Sequence, residues 1–250
     1  MTATTAPPAL PLAAPAVSAR RRVLGEFLGS GGLAAVVVGS GIAAQQLSPG
    51  DTGLQLLENA LATALGLTVL ILVFAPVSGA QFNPVVTLVD AATGGRPWRD
   101  LWAYVPAQIL GCLAGTVLAN LMFDQPAAAW STTDRATPAH LLAEVVATAG
   151  LIVVIFALVR SGRAALVAPA VGAYIGAAYF FTSSTSFANP AITIGRAISD
   201  TFAGIAPSSV PWYLAAQLVG ALLGWAAVLV LAPAIVDGRP VRGGARGSPR

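Results

Sequence analysis

Residues 78–87 read SGAQFNPVVT, and residues 186–193 read SFANPAIT. Each stretch sets an Asn directly before a Pro and then enters a short apolar segment, 84–92 after Asn83 and 190–198 after Asn189. Asn is a strong N-cap because its side-chain oxygen accepts from the first free backbone N–H groups of a helix. Pro suits the next position because no N–H is needed there. Both stretches therefore predict helix starts. Neither helix is long enough to cross a bilayer, which takes about 20 residues. Short apolar helices of this kind read as re-entrant half-helices, tolerated at membrane depth only inside protein or beside a polar cavity.

The rest of the chain supplies the membrane setting. Hydrophobic residues make up 56% of the 250 residues and charged residues 9%. A soluble domain carries about 25% charged residues, so most of this surface has to face lipid. Six segments are long and apolar enough to span: 23–45, 60–77, 101–123, 140–159, 164–181 and 212–235. The single cysteine, Cys112, excludes an intramolecular disulfide and a thiol metal cluster. With one histidine, His140, and no Ser/His or Cys/His pair, no catalytic constellation is available. The chain is expected to be no enzyme, to hold no metal and to need no cofactor. All 13 basic residues are Arg, and they fall between apolar runs instead of on one soluble face, so no nucleic-acid partner is expected.

Those arginines also set the orientation. Arg20–Arg22, Arg96 with Arg99, Arg160 with Arg163, and Arg239, Arg242, Arg246 and Arg250 share one side of a six-span chain. Only Arg135 and Arg196 remain for the other. Excess Arg marks the cytoplasmic side, which places both termini inside and sends the half-helices in from opposite faces. Residues 1–19 and 237–250 are expected to be disordered tails around one folded membrane domain over 20–236. The composition, with no Lys and much Ala, Gly and Pro, suggests a high-GC bacterium, and the expected location is its inner (plasma) membrane.

The two halves repeat, over about 22–123 and 139–235. Tyr104, Ala107, Gln108, Gly111 and Gly115 recur at the same spacing as Tyr213, Ala216, Gln217, Gly220 and Gly224, and Glu26 with Ser30 as Glu144 with Thr148. Three spans per half force the copies into opposite orientations, an inverted repeat with its functional site at the midplane. Both half-helix dipoles then point their positive ends at the membrane centre. Each Asn amide can donate to whatever lies there. Water held by two donors can only accept, which interrupts a proton wire, and the positive ends repel cations. The arrangement favours neutral solutes. Gly111 with Gly115 and Gly220 with Gly224 form GxxxG pairs that let helices approach closely.

The two Asn-Pro stretches resemble the paired signatures of the aquaporin (major intrinsic protein) family, and the Glu, Gln and Gly positions match as well, from about Arg22 to Ile235. The resemblance implies an all-α membrane fold of six spanning helices and two half-helices. It also implies an hourglass pore in each subunit, a homotetramer in the bilayer, and a pore motif of Asn83, Pro84 and Val85 with Asn189, Pro190 and Ala191. Three positions depart from the family pattern. Val85 stands where Ala is usual, Gln81 where many members have His, and Ile192 where most carry the filter Arg. By resemblance the filter comprises Ile192 and Ser186, Leu65 (or Thr63 if the gap is placed differently) from the second span, and Ala177 or Tyr179 from the fifth. This set is wider and less polar than a strict water filter. Arg196, one turn beyond Ile192, either lines the outer vestibule or snorkels to the interface. The run 182–207 further resembles channels of bacterial arsenic-resistance clusters, which implies glycerol and trivalent arsenite or methylarsenite as solutes beside water.

Glu26 and Glu144 lie inside predicted spans, where an acid marks a functional site by default. They serve either to hold the loops before the half-helices or as the coupling relay of a secondary transporter. The transporter and a closed-pore scaffold are the rival readings.

Overall fold

Helix starts follow side-chain caps. Ser18, Asp51, Asn83, Thr137 and Asn189 each accept a backbone N–H from the first turn of the helix they precede. The computed structural model describes residues 17–231 and, beyond them, two residue pairs, Ile235–Val236 and Arg239–Pro240, joined as a small antiparallel ladder. The order is α1 (Ala19–Leu47), α2 (Thr52–Ser78), α3 (Pro84–Ala92), α4 (Leu101–Met122), α5 (Pro138–Arg160), α6 (Val167–Phe181), α7 (Pro190–Arg196) and α8 (Val210–Leu231). Short 3-10 turns at Trp98–Asp100 and Ala164–Leu166 lead into α4 and α6.

Among the described residues, six helices are long and apolar enough to cross a membrane, one for each expected span. The fold is all-helical apart from the small ladder, with α3 and α7 as the short helices. Helix α7 stops at Arg196, short of the expected residue 198. There Ala197 and Ile198 donate to carbonyls three residues back, Ile194 and Gly195, which tightens the chain into turns. The tails expected over 1–19 and 237–250 lie outside the described residues, except for residues 17–19 and Arg239–Pro240.

Packing repeats with the sequence. Helix α4 lies on α1 through its GxxxG pair: a Cβ at Gly111 would meet the carbonyl oxygen of Phe27, and one at Gly115 that of Gly31. Helix α8 lies on α5 the same way, with Gly220 over Val145 and Gly224 over Ala149. The helices so paired carry Glu26 and Glu144, which reach the loops before the half-helices. The outward faces of α2, α4 and α8 carry Leu61, Leu65, Val69, Leu110, Leu118, Leu218 and Leu222, exposed as a lipid-facing helix requires.

Candidate functional site

The half-helices meet through their caps. Asn83 Oδ1 accepts from the Val85 N–H, and Asn189 Oδ1 accepts from the N–H groups of Ala191 and Ile192. Each amide nitrogen then crosses to the other motif. Asn83 Nδ2 donates to the Ala188 carbonyl at 2.8 Å, and Asn189 Nδ2 donates to the Phe82 carbonyl at 2.8 Å. An amide carries two N–H groups. Both asparagines line the central cavity, so the second N–H of each is placed to donate into it. Two half-helix N-termini converge here with their positive ends.

The loops that deliver these caps are strained. Ala80 and Phe82 before α3, and Thr185, Ser186 and Ala188 before α7, all hold left-handed backbone angles. Such conformations cost non-glycine residues about 1–2 kcal/mol each. The buried acids hold them. Glu26 accepts from the Ser78 hydroxyl, the N–H groups of Gln81 and Phe82, and Gln108 Nε2, at 2.6–3.0 Å. Glu144 accepts from the Ser184 hydroxyl, the N–H groups of Phe187 and Ala188, and Gln217 Nε2, at 2.6–2.9 Å. The two sets correspond donor for donor. Gln108 and Gln217 also donate to Thr87 and Thr193 on the half-helices, so both glutamines work within the chain. Both acids are fully buried and neither lines the cavity. This geometry supports a fastening role and gives a coupling relay no access to solute.

The cavity has a volume of about 590 Å³ and runs from Asp90, Arg96 and Arg160 at one mouth, past Asn83 and Asn189, to Ser186, Ile192 and Arg196 at the other. Its waist is apolar: Leu33, Val37, Val86, Val171 and Ile175 line it. Of the expected filter residues, Ser186, Ile192 and Tyr179 line it, and Thr63 joins them with its hydroxyl 3.1 Å from that of Tyr179. The Ser186 hydroxyl has no hydrogen-bond partner among the described residues. Leu65 and Ala177 do not belong to the filter. Leu65 is 61% exposed on the outer face of α2, and Ala177 is exposed on α6. Each lies two residues from the lining residue, Thr63 or Tyr179, and residues two apart on a helix point to different faces. Val85 and Ala191 are buried behind the motif, away from the cavity.

The mouths differ in charge. At the first, Gln81 Nε2 donates to Asp90 at 2.5 Å, and Arg96 reaches Asp90, Asp100 and the Ser78 carbonyl while lying 4.4 Å over the Tyr104 ring. Arg22 pairs with Asp100 as well. At the second, Arg196 is buried, with its guanidinium 3.4 Å over the Phe187 ring and Nε donating to the Ala203 carbonyl. It does not snorkel: it faces both the cavity and a vestibule of about 490 Å³ beyond it. Arg135 lines that vestibule too, donating to the Gly204 and Phe202 carbonyls and lying 5.5 Å over the same ring. Next to it, the Ser209 hydroxyl and then the Ala136 N–H hold the Asp134 carboxyl below the usual carboxylate range. Sequence reasoning passed over Arg135, Phe187, Asp90 and Arg96 as site residues. A signal for one of them lay in the repeat: Asp90 follows Asn83 by seven residues, as Arg196 follows Asn189 (83 to 90, 189 to 196).

The family model described as "Major intrinsic protein" matches residues 14–186. The aquaglyceroporin AqpS of Rhizobium meliloti (strain 1021) is 49% identical over 202 residues, which cover 81% of this chain and 86% of that one. The glycerol uptake facilitator protein of Streptococcus pneumoniae (strain ATCC BAA-255 / R6) is 31% identical over 193 residues, covering 70% of this chain and 82% of that one. The X-ray structure of the aquaglyceroporin from Plasmodium falciparum superposes with a TM-score of 0.66 at 21% identity. The match covers 84% of this chain and 96% of that one, a likeness of fold.

Proposed function

Because the chain belongs to the major intrinsic protein family, we propose that its cavity passes glycerol-sized neutral solutes as well as water, with Thr63, Tyr179, Ser186 and Ile192 as the filter. A channel for water and small uncharged solutes is what its aquaglyceroporin and glycerol-facilitator relatives support. The observation that carries the wider filter is Ile192. It is buried, lines the cavity and offers neither charge nor donor. Three hydroxyls, from Thr63, Tyr179 and Ser186, face it in an otherwise apolar wall. That mixture suits polyols and small hydroxides, which need a few hydrogen bonds along an apolar edge. Trivalent arsenic hydroxides have this chemistry and are included among the solutes.

We read the assembly as a homotetramer with both termini in the cytoplasm of a bacterial plasma membrane. Support for the orientation comes from Arg22, Arg96 and Arg160. Arg22 and Arg96 share Asp100, and Arg96 and Arg160 line the same mouth, so the arginine-rich segments gather at one end, as a cytoplasmic face requires.

Stopped-flow light scattering on proteoliposomes tests the function directly with water, glycerol and arsenite. Rapid entry of all three is expected. Entry of water alone would overturn the wide-filter reading. Ile192→Arg adds a cation and bulk to the filter and should lower glycerol entry about tenfold or more, the discrimination that pocket shape can supply, while water still passes. Glycerol flux as high as in the unaltered channel would remove Ile192 from the filter.

A further inference from the structure

We propose that the barrier to cations in this pore stands in the Arg196 vestibule, built by Arg196 and Arg135 over Phe187, and not at the filter position that Ile192 occupies. The proposal rests on reading the cavity as a solute pore. Ile192 contributes no charge, so at the filter only the half-helix ends oppose a cation. One turn further along α7 the situation reverses. Arg196 is 2% exposed and faces the cavity and the vestibule at once, at the junction of the two. Its Nε is committed to the Ala203 carbonyl and its plane to Phe187. The fork is therefore held in place, with its terminal N–H groups toward the junction.

Arg135 adds a second fixed guanidinium over the same ring. Neither arginine forms an ion pair with a carboxylate among the described residues. The acids of this region take their hydrogen bonds from neutral donors and not from these guanidiniums. Glu144 faces four donors behind Phe187, Asp200 at the vestibule rim accepts from the Thr132 N–H and hydroxyl, and Asp134 accepts from Ser209 and Ala136. The opposite mouth is the internal control. Asp90, the repeat counterpart of Arg196, folds back on Gln81 as Arg196 folds on Phe187, yet it is neutralised by Arg96. At one mouth the acid is thus tied directly to an arginine, while at the other, two fixed guanidiniums stand in no ion pair among the described residues, where a cation entering between them is repelled. Neutral solutes are indifferent to that field. The fold has moved the cation filter outward and left the steric filter wide.

The vestibule potential can be read without altering either arginine. Thr133 lines the vestibule, is exposed, and has no side-chain hydrogen bond among the described residues, and the one native thiol, Cys112, is fully buried. In nanodiscs, Thr133→Cys should react with an anionic methanethiosulfonate about tenfold faster than with a cationic one, each rate taken relative to that of free 2-mercaptoethanol. Adding Arg196→Met should erase most of that preference. In planar bilayers, Arg196→Met with Arg135→Met should raise potassium conductance relative to glycerol flux by about tenfold or more. A Thr133→Cys protein with no anion preference overturns the proposal, whether or not the arginine variants reach the membrane. So does a double variant whose conductance-to-flux ratio stays at the starting value. An anion preference in a protein that passes no glycerol would leave the barrier standing and defeat the solute reading instead.

Discussion

Glu144→Leu is expected to cost the channel its fold, with the yield of monodisperse protein and the flux of every solute both falling by at least an order of magnitude. Leucine removes the acceptor for four buried donors at once: the Ser184 hydroxyl, the N–H groups of Phe187 and Ala188, and Gln217 Nε2. A buried donor left without a partner costs about 1–3 kcal/mol. Four of them approach the whole stability of a typical folded protein, about 5–15 kcal/mol. The same loop holds Thr185, Ser186 and Ala188 in left-handed conformations, so it has every reason to relax once released. Size-exclusion profiles after heating measure the loss. A variant as heat-resistant as the parent would remove the fastening role. Glu144→Gln separates fastening from proton coupling. Its amide turns two donors toward groups that are themselves donors, so it should also destabilise. A relay residue would instead tolerate the change in stability and lose only a dependence of flux on a proton gradient.

The second large effect is expected at Gly115. In an ordinary helix interior, Gly→Ala stabilises by about 1 kcal/mol. At Gly115 the added Cβ would meet the Gly31 carbonyl oxygen, carbon and Cα of the facing helix. Backbone cannot swing aside as a side chain can, so α1 and α4 have to separate along their length. Overpacking of this kind costs about 1–3 kcal/mol or more and reverses the sign of the substitution. Gly115→Ala should lower the unfolding temperature by several degrees. Gly53→Ala is the comparison: its Cβ would make only an ordinary contact with Asp51 at 3.4 Å, and it should not lower the temperature. Equal behaviour of the two variants would mean that the α1–α4 crossing tolerates expansion.

The fold was legible where chemistry is local. An Asn-Pro pair announces a helix start by itself, and α3 covers the expected 84–92 residue for residue. The six spans needed only length and hydropathy. Filter placement failed at Leu65 and Ala177 for a definite reason. Past Asn59 the only polar side chains of α2 before Ser78 are Thr63 and Thr68, and those of α6 are Tyr174 and Tyr179, so neither helix shows the polar face by which an amphipathic helix marks its orientation. Thr63 and Tyr179 turn inward, and each carries the hydroxyl its neighbour lacks. At Arg196 the choice between vestibule and interface stayed open for a different reason. Its surroundings, Phe187 and the Ala203 carbonyl, come from loops before and after α7, and no spacing rule predicts that they close over a guanidinium. The repeat was used to pair spans and motifs, but not carried to the seventh residue past each Asn, where Asp90 and Arg196 stand.

The crossed asparagine bonds bear on how the protein is made. Asn83 is anchored to Ala188, and Phe82 to Asn189, so the tip of the first re-entrant segment takes these two bonds from residues translated more than a hundred positions later. Chains grow from the N-terminus and early parts fold as they emerge. Here the early half cannot close on itself. While the ribosome works through α4, α5 and α6, the loop before α3 has Glu26 to hold it but no partner at its tip. The two loops can therefore lock together only once 184–196 has entered, and Gln217 of α8 joins that lock later still.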